Sequence, residues 1–89
     1  MATYDTIIHC WNLAYKASEQ ANELDQLSKK LVGQGDKKNA AYARMERDHF
    51  NWCFNLFMGM AEHLEHGCSV ADANQIVRAQ IPHPFYGVI

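Results

Sequence analysis

From Asp5 to Val32 the chain runs without a glycine or proline, and small or apolar residues return at Ile7, Cys10, Ala14, Ala17, Ala21, Leu24, Leu27 or Ser28, and Leu31. Steps of three and four put these residues on one stripe of an α-helix over about residues 5–32. Gly33-Gln34-Gly35 breaks the pattern with two positions that tolerate positive φ, and Asp36 can accept the free amides of the helix that follows. That second helix is predicted over 37–66. Gly67 stops it, and His63 and His66 fall in its last turn, where the helix dipole favours a positive charge. Ser69-Val70-Ala71-Asp72 has the spacing of a capping box, with Asp in place of Glu, and opens a shorter helix over 70–80. Pro82 and Pro84 end it, and the tail IPHPFYGVI reads as extended and apolar.

Folded about the Gly33–Gly35 turn, the two long helices form an antiparallel hairpin in which facing residue numbers sum to about 70. Leu24, Leu27 and Leu31 then oppose Ala40, Ala41, Ala43 and Met45, while Ala14, Ala17 and Ala21 oppose Phe50, Trp52, Cys53 and Phe57. Large meets small at both ends, as a packed interface requires. The polar residues of the second helix occupy a stripe about 100° wide, so its apolar surface exceeds what one neighbour can cover. Tyr42, Phe54, Met58 and Leu64 are left over, as are Tyr4, Ile8, Trp11 and Tyr15 on the first helix. The expected architecture is all-α: one domain over 1–89, a helical hairpin with a short third helix and an extended C-terminal tail. It is expected to assemble as a dimeric four-helix bundle or higher oligomer.

Size supports that expectation, because a chain of 89 residues buries only about 60% of its unfolded surface and gains from association. A composition 48% hydrophobic and 20% charged describes a globular domain. The net charge of -2, spread without runs, lacks the basic footprint of a nucleic-acid binder. Three cysteines without a CxxC pair suit thiols in a reducing cytoplasm. No basic residue precedes Lys16, unlike a signal peptide. The apolar run 50–61, broken by Asn51 and Asn55, is too short to span a membrane.

Two clusters carry possible chemistry. Glu46 and His49 lie near the midline of the apolar face of the second helix, where a buried carboxylate needs a partner. The segment MERDH, Met45 to His49, resembles the Glu-x-x-His half-site of helix-bundle di-iron and di-manganese carboxylate proteins. The resemblance implies an inward carboxylate from the neighbouring helix. Glu19 and Glu23 fall on its solvent side instead, and only Asp25 could substitute. The second cluster, His63, His66 and Cys68, could bind zinc with His9 and Cys10 at the same end of the hairpin, although both histidines also suit a helix C-terminus. Cys10 or Cys68 paired with a histidine lacks an activating third residue. Phosphate-binding glycine loops and nucleophile elbows are absent. Gly59 alone has no turn to serve, and it points to close approach of a helix or a flat ligand.

These observations describe a non-enzymatic, self-associating interaction module of the adaptor or inhibitor type, such as occurs among phage and mobile-element accessory proteins. Trp11, Tyr15, Glu46, His49, Trp52 and Phe54 are its candidate binding residues for a partner protein or small ligand. The alternative is a metal-binding bundle, with iron at Glu46 and His49 or zinc at His63, His66 and Cys68.

Overall fold

A computed structural model describes residues 4–85. It contains α1 (Tyr4–Gly33), α2 (Lys37–Glu65) and α3 (Val70–Gln80), and the described residues contain no strand. The helices match the expected bounds to within a residue because their ends are chemically marked. Asp36 accepts from the Asn39 backbone amide at 3.3 Å, and Ser69 Oγ accepts from that of Asp72 at 3.1 Å. Gly35 and Gly67 have φ of 81° and 94°, which a side chain would resist. Residues 86–89 of the apolar tail lie outside the described residues.

The hairpin has the expected register. Arg47 Nη1 donates to Asp25 Oδ1 at 2.8 Å, and these two numbers sum to 72. Small residues line the seam: Ala14, Ala17, Ala21 and Ser28 of α1, with Ala40, Ala43 and Ala61 of α2, are all buried. The larger side chains depart from expectation here. Ser28 turns inward, its hydroxyl donating to the Asp25 carbonyl at 2.7 Å, while Leu27 and Met45 point to solvent. Trp52, expected opposite the alanines of α1, packs beside α3 instead, where its indole meets Ile81.

The main core lies at the open end of the hairpin, where Ile7, Cys10, Leu56, Met60 and Leu64 meet Ala73 and Val77 of α3. Residues 73, 77 and 81 recur at helical spacing, so α3 lays one narrow stripe on α2. It makes no comparable contact with α1. The three helices thus lie side by side, with α2 in the middle. The molecule is flattened, with principal extents of 51 × 29 × 12 Å.

Gly59 is where α3 comes closest. A Cβ added there would lie 3.1 and 3.2 Å from the two γ-carbons of Val77. Gly59→Leu is therefore expected to destabilise the fold by about 1–3 kcal/mol through overpacking. Urea unfolding should show much of that cost disappear in a Val77→Ala background; equal cost in both backgrounds would separate Gly59 from Val77.

Candidate functional site

The site forms where the chain leaving α3 returns to α2. Trp52 Nε1–H donates to the Ile81 carbonyl at 2.8 Å, fixing the residue that ends α3. Pro82 and Pro84 then hold the backbone out of helix, and the His83 ring lies against His49 and Trp52, with centroid separations of 5.1 and 4.8 Å. The Arg78 guanidinium stands over the Trp52 ring, 5.4 Å from its centroid.

A chain of hydrogen bonds fixes where the ring protons lie. The Phe85 backbone N–H donates to His83 Nδ1 at 3.1 Å, so that nitrogen carries a lone pair and the proton of the neutral ring sits on Nε2. His83 Nε2–H therefore donates to His49 Nδ1 at 2.8 Å. His49 in turn carries its proton on Nε2, directed at Cys53 Sγ 3.6 Å away. This polarity bears on chemistry. A base that activates a thiol must accept at the nitrogen facing sulfur, and here that nitrogen already holds a proton. Burial also pushes the Cys53 thiol up, against the opposing influence of Arg78. The Cys53–His49–His83 chain has the connectivity of a nucleophile, base and orienting group, but with its protons placed the wrong way round.

Two grooves flank the cluster. One, of about 560 Å³, is lined by Tyr42, Met45, Glu46, His49, Phe50, His83 and Phe85. The other lies between His49, Trp52, Arg78, Ile81 and His83. Glu46, expected on a dry face, is exposed at the rim of the first groove, because no helix among the described residues covers that side of α2. Asp25 is engaged by Arg47 and Lys29, which hold its carboxyl below the usual range, so it does not complete a carboxylate site with Glu46. At the far end of α2, the His63 carbonyl accepts the His66 and Cys68 amides, while exposed His66 serves as the C-cap. Cys68 packs against the core. His9 is exposed and Cys10 is buried. Among the described residues no three His, Cys, Asp or Glu side chains are grouped to hold a metal. A metal between the two paired rings would need His83 to change tautomer and lose its bond from Phe85.

Of the candidate binding residues, Glu46, His49 and Trp52 come together. Trp11 packs on the core cluster, Tyr15 is exposed, and half-buried Phe54 does not line the grooves around His49. His83, Phe85, Cys53 and Arg78 were not anticipated. The available signal was IPHPF, a histidine held between two prolines in an apolar tail. No family model, curated protein sequence or solved structure matches the chain.

Burial, then the neighbouring His49, hold His83 below the ordinary histidine value. The undocked ring takes a proton more readily than the docked one, so docking of 81–85 is strongest above about pH 6.5. It weakens as pH falls below that value towards the lowered one. Glu46 and Cys53 on α2 and Arg78 on α3 are the other titratable or charged groups around the pair. In a Trp11→Phe background, Trp52 emission should shift to the red on acidification, and His83→Ala should remove the transition. An unchanged transition in His83→Ala would assign it elsewhere.

Proposed function

We propose that this chain is a non-enzymatic interaction module that self-associates and holds a partner protein through the aromatic and histidine-lined surface of α2 and residues 81–85. The observation that carries this reading is the single layer of helices. Domains ordinarily bury their helices between two layers. Here Tyr15, Leu27, Tyr42 and Met45 are 61%, 44%, 55% and 46% exposed, which leaves apolar surface on both broad sides. A second copy laid across one side would complete a dimeric four-helix bundle. A side measuring 51 × 29 Å exceeds the roughly 800 Å² that each partner of a standard interface buries.

The groove beside His49 supplies rings and polar edges for a further partner, as an adaptor or inhibitor requires. No helix among the described residues is long and apolar enough to cross a membrane. Three unpaired thiols suit a reducing compartment, and we place the module in the cytoplasm.

Sedimentation velocity over a concentration series tests self-association. At about 100° per residue, Leu27 and Tyr15 lie on opposite flanks of the α1 seam. Leu27→Glu or Tyr15→Glu, whichever alters the side in use, should weaken association by roughly tenfold or more, because a charge is then buried without a partner. Helicity should be unchanged, since both positions are exposed. A wild type that is monomeric throughout would remove the dimer from this reading.

A further inference from the structure

The groove beside His49 has a chemical bias of its own. Phe50 meets the His49 ring at 66° and Phe85 meets the His83 ring at 61°, so its walls turn corners instead of forming a flat slot. Tyr42 lines the same open groove beside these rings. Aromatic faces carry partial negative charge, and rings set at an angle around one space favour a cation within it. Both histidines are neutral in the hydrogen-bond chain described above, so neither opposes a positive guest.

Glu46 stands at the rim, exposed, with no hydrogen bond or ion pair to another described residue. The adjoining groove shares Glu46 and Phe50 and adds Glu23 together with Leu24 and Leu27. Two carboxylates therefore line this stretch of surface, while no lysine or arginine lines either groove. An anionic guest would find no counter-charge. A purely apolar one would strip water from Glu46 without replacing it.

We propose that this groove receives a lysine or arginine side chain of a partner polypeptide. Its aliphatic stem lies along Met45 and the rings, and its charge meets the aromatic faces and the Glu46 carboxylate. The chain already makes one such contact internally, where Arg78 lies over Trp52 in the neighbouring groove. This inference rests on reading the α2 surface as a partner-binding surface, and it names the group that surface selects.

The test is an NMR titration of the full chain with three capped amino acids: Nα-acetyl-lysine, Nα-acetyl-arginine and Nα-acetyl-norleucine N-methylamides. Norleucine keeps the stem and drops the charge. The basic probes should shift the resonances of Tyr42, Glu46, Phe50 and Phe85 saturably at millimolar concentration, with norleucine several-fold weaker. Glu46→Gln should reduce the affinity for lysine by roughly three- to tenfold while leaving the Trp52 signals in place. Phe85→Ala should weaken both basic probes. Equal binding of norleucine, unaltered lysine affinity in Glu46→Gln, or no saturable shift with any probe would overturn the proposal. Sedimentation of the same samples keeps the two readings apart. A monomer that binds lysine leaves the groove assignment standing and removes self-association, and a dimer indifferent to all three probes does the reverse.

Discussion

The smallness of the α1–α2 seam governs the rest of this molecule. Alanines and one serine let the two backbones approach closely, and that proximity puts Asp25 within reach of Arg47. Such a seam buries little surface per residue, because an alanine side chain has only a methyl group to remove from water. The large apolar residues cannot enter it and are displaced to its flanks. At the open end α3 and the tryptophans gather some of them into a core; at the turn end none of the described residues does so. The thin profile, the exposed leucine, methionine and tyrosine, and the uncovered rim at Glu46 all follow from that one packing choice.

The paired histidines show how a backbone group can direct side-chain chemistry. One amide, that of Phe85, commits His83 Nδ1 as an acceptor, and each later proton in the chain follows from it. The outcome is a set of neutral rings that bind one another and serve as walls. Had the terminal group been an acceptor in place of a donor, the same residues would have presented a base to Cys53. The distinction between a packing cluster and a nucleophilic one lies here in proton placement, while the identity of the residues is common to both.

Much of the fold was legible in the residue pattern. Gly35, Gly67, Asp36 and Ser69 mark helix ends by local chemistry, which acts over three or four residues and needs no tertiary knowledge. The register followed from the turn, and Gly59 was correctly suspected of receiving a helix. Periodicity reports which residues share a face, but not which face becomes covered. Leu27 and Ser28 were equal candidates for the seam, and steric fit selected the smaller. Glu46 was expected to be dry because α2 is apolar over most of its circumference, yet α3 and the tail cover a different sector. His83 meets His49 across a sequence separation of 34, a juxtaposition that depends on where α3 ends and the prolines turn the chain. That half of the site could be read only from the tertiary structure.

The arrangement of α3 has an energetic corollary. Because it rests chiefly on α2 and meets α1 only at the core of the open end, α3 can lift away with the segment that follows it while most of the hairpin seam stays closed. Such partial opening would be a cooperative unit of its own, lower in free energy than global unfolding. Residues 83 and 85 belong to the unit that lifts, yet they form two walls of the groove on α2. The groove therefore exists only in the closed population. A guest that needs those walls is bound with its intrinsic affinity multiplied by the fraction of molecules that are closed. A substitution at the α2–α3 contact, far from any bound group, would then tune affinity through that fraction alone.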